Sequence, residues 1–207
     1  VEVQIVRDAD LEALDNIIAS FNVVGLLPGE SAMSGGFAST GDSYSEYVWV
    51  YDDFGSIQMQ VPAGWNDIDG DVWFESDDVV GGMIAASPDL DGFYNTWATP
   101  GVIFGASDDL ASYLGYQQLI DALRPDFMEV CELDGRYDYE DAIYRGKYDL
   151  FTKCGGPGGA KWLQLAAVSK DDQFAFLILV QAQIVNEEDW EVVDQILATF
   201  EVVGELP

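Results

Sequence analysis

The side chains that could do chemistry in this chain are almost all carboxylates. Its 207 residues include 38 Asp and Glu, 8 Lys and Arg, two Cys and no His. Without an imidazole, neither a Ser-His-Asp nor a Cys-His arrangement can be built. Two Cys without His cannot supply the usual tetrahedral zinc set. Paired carboxylates can hydrolyse a glycosidic bond, but among 38 acids some pair falls at any chosen separation, so the count singles out no such pair. Asp67, Asp69 and Asp71 have the 1, 3, 5 spacing of a calcium loop. The sixth place, where the sharp turn needs Gly, is Val72, and the twelfth, where a bidentate Glu belongs, is Asp78. A solvated acidic turn is therefore the favoured reading, with calcium the weaker one. Gly155 to Lys161 (GGPGGAK) has the composition of a phosphate loop, but Ala160 precedes the Lys, Trp162 follows it, and the stretch joins two expected strands. It reads as a hairpin loop. The expectation is a chain with no catalytic residue and no cofactor, weak calcium aside.

The elements that must position these residues are mostly strands. Glu46–Asp52 and Ser56–Pro62 form a hairpin across Asp53-Phe-Gly55. Strands are expected over Val79–Ala86, Gly101–Ala106, Phe127–Leu133, Ala142–Cys154, Ala160–Ser169 and Gln173–Val185, the last apolar on both faces and so central in its sheet. Asp89–Trp97 reads as a short helix or turn, and Asp108–Leu114 as a helical turn capped by Ser107 or Asp108. Tyr116–Leu123 reads as a helix that ends before Pro125. Antiparallel pairing of the strands that carry Cys131 and Cys154 brings the two thiols together at the surface. A disulfide there would close a loop of about 23 residues, worth on the order of 3 kcal/mol; the alternative is two buried thiols. Arg136, Arg145, Lys147 and Lys153 fall in the same hairpin, to neutralise nearby Asp or to bind an acidic neighbour.

The chain also repeats itself. Val1–Pro28 (VEVQIVRDADLEALDNIIASFNVVGLLP) and Val180–Pro207 (VQAQIVNEEDWEVVDQILATFEVVGELP) align without a gap, identical at 15 of 28 positions. The offset, 180 − 1 = 179 residues, is one ordinary domain, so Val1–Pro28 reads as the tail of a preceding period. Each copy has the pattern strand, helix, short strand. Val1, Val3 and Ile5 alternate as a half-buried strand does. Leu11, Leu14, Ile18 and Phe21 share one face of a helix, as do Trp190, Val193, Leu197 and Phe200, with Asn186 the expected N-cap of the second. Residues 1–25 are thus a tail, 26–44 a Gly- and Ser-rich linker, and 45–207 one domain.

A formal charge of −30 argues against nucleic acid, whose phosphates call for basic contacts, and keeps neighbouring modules apart and soluble. Apolar residues make up 49% of the chain, enough for a real core, yet no run of 18 spans a membrane. With neither an initiator Met nor a signal peptide, the expectation is a mature, processed or excised chain of extracellular or cell-surface location.

Two stretches resemble a known family. The Tyr-rich first strand followed by Ser56–Trp65 (SIQMQVPAGW) resembles the opening of PsbP/Mog1-like domains, and Gln195–Val203 (QILATFEVV) resembles their closing helix and strand. Cys131–Tyr139 (CELDGRYDY) with Tyr148–Gly156 (YDLFTKCGG) is similar to a domain attached to exported bacterial trypsin-like serine proteases. The resemblance spans roughly Tyr47 to Val203. It implies an α+β fold, a central antiparallel sheet with helices packed on it, and an accessory or binding role with no catalytic residue to carry over.

Two functions follow as expectations. One is a structural module of an extracellular repeat protein or filament, its partners copies of itself arranged head to tail. Val1, Val3, Ile5, Leu11, Leu14, Ile18 and Phe21 then form the assembly face, because an apolar strand and helix must be covered. They either complete a preceding module or add a strand to an adjacent subunit. The other is a regulatory or ligand-binding accessory domain of an exported serine protease.

Overall fold

Apolar side chains recur at every second position of Ile57–Pro62 (β2), so Ile57, Met59 and Val61 are buried while Gln58 and Gln60 lie on the opposite face. Residues 44–75, 77–171 and 176–207 are described in the computed structural model; the sequence expectations for Val1–Ser43 lie outside them. Tyr47–Tyr51 (β1) pairs antiparallel with β2. The turn between them uses Gly55 at φ 69°, a left-handed conformation that favours glycine. Buried Asp52 fastens the turn, accepting from Ser56 N at 2.7 Å and Ile57 N at 2.9 Å. Glu201–Val202 (β11) pairs with the other edge of β2, giving a three-stranded sheet in the order β1-β2-β11.

The larger sheet holds Asp67–Asp69 (β3), Val72–Glu75 (β4), Asp78–Ser87 (β5), Gly101–Ser107 (β6), Glu132–Glu140 (β7), Tyr144–Cys154 (β8), Ala160–Ser169 (β9) and Leu177–Ile184 (β10). Its order is β3-β5-β6-β10-β9-β8-β7, with β4 also paired to β5 and every pairing antiparallel. The helices are Leu90–Asn95 (α1), Asp108–Ala111 (α2), Tyr116–Met128 (α3) and Asp189–Thr199 (α4). The α+β expectation of antiparallel sheets with packed helices is met. So is the central place of β10, which lies between β6 and β9. Its neighbouring residues explain this: Leu177, Ile178, Leu179 and Val180 are all buried, on both faces of the strand.

Three boundaries differ from the sequence reading. Helix α3 runs through Pro125 to Met128 instead of stopping before it. An interior proline costs a helix about 3 kcal/mol. Here the last turn is held by Phe127, stacked on Trp162 with ring centroids 4.8 Å apart and tilted against Phe151 at 5.6 Å. Strand β7 accordingly begins at Glu132 instead of Phe127 and extends to Glu140, well past the expected end at Leu133. The third difference is at α4. Asn186 is not its cap; the carboxylate of Asp189 accepts from Val185 N and Asn186 N, both at 2.8 Å. That arrangement turns the chain before the helix starts.

Asp149 of β8 ties α3 to the sheet. Its side chain is fully buried and accepts from Arg124 Nε at 2.9 Å and from Arg136 Nε at 2.6 Å. Arg136 also reaches Asp121 of α3 at 2.7 Å. Burial alone would push the Asp149 carboxyl up, but the hydrogen bonds and charges of Arg136 and Arg124 outweigh it and hold it below the ordinary value. A carboxylate with a depressed folded pKa adds stability above the usual range near 4, and that stability is lost as pH falls through the folded value. Arg136→Met is expected to destabilise the domain by about 3 kcal/mol in denaturant unfolding at neutral pH. The gap to the parent chain should narrow in acid as Asp149 protonates.

Candidate functional site

The C-terminal segment that the sequence duplicates is buried at the centre of the domain. Its β10 portion is hydrogen-bonded along both edges, with Val180 opposite Phe104 of β6 and Leu165 of β9, and Ala182 opposite Val102 and Leu163. Val180, Ala182, Ile184, Val192, Val193, Ile196 and Phe200 enter one core with Ile57, Met59, Val61 and Phe104. Trp190 and Leu197 flank this face, partly buried, so the helix stripe is centred a little to one side of the sequence-derived one. Phe200 stacks on Tyr144 at 4.9 Å and meets Phe104 edge-on at 5.4 Å. Burial pushes the Tyr144 phenol up to about 12, and its hydroxyl accepts from Val202 N.

Two buried polar groups fix the segment in register. Gln183 donates to the carbonyl oxygens of Thr96 at 3.0 Å and Thr99 at 2.7 Å. Asp189 accepts from Val185 N, Asn186 N and, at 2.6 Å, the hydroxyl of Tyr44. Burial and that carboxylate raise the Tyr44 phenol. At the last residue of the helix, Thr199 Oγ1 accepts from Gln60 N at 3.0 Å, and beyond it Val203 N and Gly204 N both donate to Ser56 O. The result is a socket between β6, β9 and β2 that reads a strand, a helix and a short closing strand together.

The buried positions of Val180–Pro207 are Val180, Ala182, Gln183, Ile184, Asp189, Val192, Val193, Ile196 and Phe200. In the N-terminal copy six of these nine are identical, at Val1, Gln4, Ile5, Asp10, Ile17 and Phe21, and the other three stay apolar as Val3, Ala13 and Leu14. Gln4 and Asp10 went unmarked in the sequence reading, because a polar residue in an amphipathic pattern reads as exposed. Their identity in both copies was the signal available. The assembly residues Val1, Val3, Ile5, Leu11, Leu14, Ile18 and Phe21 lie outside the described residues.

The remaining sequence candidates fall elsewhere. Asp67 and Asp69 sit two apart on β3, where Asp67 accepts from Leu90 N and Asp69 from Asp71 N, while Asp71 accepts from Val72 N. Each carboxylate thus fastens backbone, and among the described residues no group of three or more acidic, Cys or His side chains is gathered to hold a metal. Cys131 and Cys154 form a disulfide across 23 residues. It is buried with Phe127, Phe151 and Trp162, not superficial as expected, because α3 continues over it. Three of the hairpin cations pair with acids: Arg136 with Asp149 and Asp121, Lys147 with Asp138, and Lys153 with Glu132.

Two clefts border these elements. One of about 640 Å³ lies between Ile143, Tyr144 and Phe176 and the tail from Glu201 to Leu206. The other, about 350 Å³, is walled by Phe93, Trp97, Phe127 and Trp162 with Gln183 at its side. Trp162 is stacked against Phe93 at 6.0 Å and Phe127 at 4.8 Å and meets Trp97 at right angles.

No protein-family profile and no curated protein matches the chain. Among solved structures, the 1.9 Å crystal structure of the Saccharomyces cerevisiae Ran-binding protein Mog1p is similar over 76% of this chain and 96% of that one, at 11% identity and a TM-score of 0.41. The α+β class given above rests on this chain's own strands and helices. Among the described residues no helix is long and apolar enough to cross a membrane.

Asp189→Ala leaves Val185 N, Asn186 N and the Tyr44 hydroxyl without their acceptor. It is expected to lower unfolding stability by about 2 kcal/mol, read by denaturant titration, with the Tyr44 phenol titrating lower than in the parent chain.

Proposed function

We propose that this chain is a non-enzymatic structural module of an extracellular repeat protein or filament. In this reading Val1–Val24 fills, in a neighbouring module, the socket that Val180–Val203 fills here. One observation carries the reading: the N-terminal copy keeps the buried polar pair of the socket, Gln4 for Gln183 and Asp10 for Asp189, along with its apolar positions. Buried polar side chains need partners at fixed places. Thr96 O and Thr99 O serve Gln183, and a segment with no such partners would have no use for Gln4.

The socket of the described domain already holds its own C-terminal copy. The N-terminal copy therefore serves either a module that precedes it along a longer chain or an adjacent subunit whose segment it replaces. With an adjacent subunit the contact is heterologous and runs head to tail, the geometry of a filament; along a longer chain the modules follow one another covalently. Removing the segment would part β6 from β9 and split the large sheet into two halves, so completion of one module by another would be an all-or-none event. The buried disulfide suits an oxidising, extracellular setting.

Electron microscopy of native material with intact mass on the same sample tests this. Regular fibres are expected. A mass near 22.7 kDa per chain would mean separate subunits, and a much larger covalent mass would mean one long repeat protein. Where the subunits are separate, Asp10→Ala is expected to abolish the fibres while leaving the module's melting temperature unchanged. Dispersed monomers, or fibres indifferent to Asp10→Ala, would overturn the reading and leave the accessory domain of an exported serine protease as the alternative.

A further inference from the structure

The two copies of the duplicated segment do not offer a socket the same surface. Their buried positions scarcely tell them apart. Val3 for Ala182 and Leu14 for Val193 enlarge the apolar face, and Ala13 for Val192 reduces it. The copies therefore bring nearly equal apolar volume, the kind of change a core absorbs best. The difference lies at the turn between strand and helix.

That turn is held by Lys161. It is the second residue of β9, opposite Ile184 in register. Its Nζ lies 3.1 Å from Glu187 Oε1 and 5.3 Å from the centroid of the Trp190 ring. Among the described residues it is the one cation with an ion pair to Val180–Pro207. Residues 186–189 are Asn-Glu-Glu-Asp, a formal charge of −3. The same places in the N-terminal copy, 7–10, hold Arg-Asp-Ala-Asp, a charge of −2 + 1 = −1, and Trp190 becomes Leu11. Leu has no ring face to offer a cation. Asp8 is shorter than Glu187, and Arg7 adds a like charge one residue from the place of the Lys161 partner.

We propose that Lys161 makes this domain selective for its own C-terminal copy. Val1–Val24 is then shaped for a socket of different sequence, in a related module with no cation at the place of Lys161. This rests on the reading that each copy closes such a socket, and it names the partner. A second molecule of this same chain is a poor acceptor, because its socket carries Lys161 as well. A string of unlike modules is thereby favoured over exchange between identical subunits. The Lys161 side chain is 34% exposed and that of Glu187 83%, so solvent weakens their attraction. The ion pair and the ring contact together give about a tenfold preference.

A double-mutant cycle on the full chain measures that preference. Asn186→Arg, Glu188→Ala and Trp190→Leu together give the C-terminal segment the character of the N-terminal turn. None of these positions is buried, nor is Lys161, so the variants keep the core. The triple change is expected to lower the folding equilibrium constant, from denaturant titration, about tenfold more with Lys161 present than in Lys161→Met. The Met variant keeps an apolar stem without the charge. Equal losses in the two backgrounds would overturn the proposal. Fluorescent peptides of residues 1–28 and 180–207, each offered to the full chain as it cools from its melting midpoint, test the socket itself. The parent chain is expected to capture the C-terminal peptide about tenfold better, and Lys161→Glu to prefer the N-terminal one. Equal capture of both by the parent chain would overturn the selectivity and leave the socket reading standing. Capture of neither would overturn the socket reading, and the partner assignment with it, whatever the cycle shows.

Discussion

Strand β10 has neighbours on both edges and apolar cover on both faces, and the rest of the domain is arranged to satisfy it. Its N–H and C=O groups pair with β6 on one side and β9 on the other. Without it the β3–β6 half of the sheet and the β9–β7 half have no hydrogen bonds in common. Helix α4 and strand β11 follow it directly and join the large sheet to the small one through Phe200, Tyr144 and the edge of β2. A single C-terminal segment thus carries the junction between both sheets. The same segment is the one that occurs twice in the sequence, which gives the duplication a mechanical meaning: it repeats the element that closes the fold.

The acidity of the chain shapes how its few buried charges are held. Asp149 lies between two arginines, whereas Asp52 and Asp189 are held largely by backbone N–H groups. Paired or hydrogen-bonded, each meets the condition that lets a carboxylate be buried. Most remaining acids are at the surface, where mutual repulsion discourages nonspecific contact.

The disulfide corner shows how local and tertiary effects trade against each other. Pro125 argues locally for the end of a helix. The aromatic cluster of Phe127, Phe151 and Trp162 around Cys131 and Cys154 rewards one more turn, and the helix continues. That extra turn covers the disulfide and moves the start of β7 to Glu132. Packing of large rings outweighs the lost hydrogen bond because several contacts form together.

Much of the strand content was legible in the sequence, because period-two alternation and Gly-rich turns are local signals. The hairpin of β1 and β2, the buried character of β10 and the pairing of Cys131 with Cys154 all followed from residues close together in the chain. The duplication was visible only in the sequence, since Val1–Ser43 lies outside the described structure. What the tertiary structure alone decided was burial of polar groups. Gln183 and Asp189 look like surface residues until the carbonyls of Thr96 and Thr99 and the hydroxyl of Tyr44 are brought to them from 84 to 145 residues away. It also decided that β11 takes the second edge of β2, because the partner on a strand's far side comes from a distant part of the chain. Alternation along one segment records which face is apolar; it does not record what stands across from it.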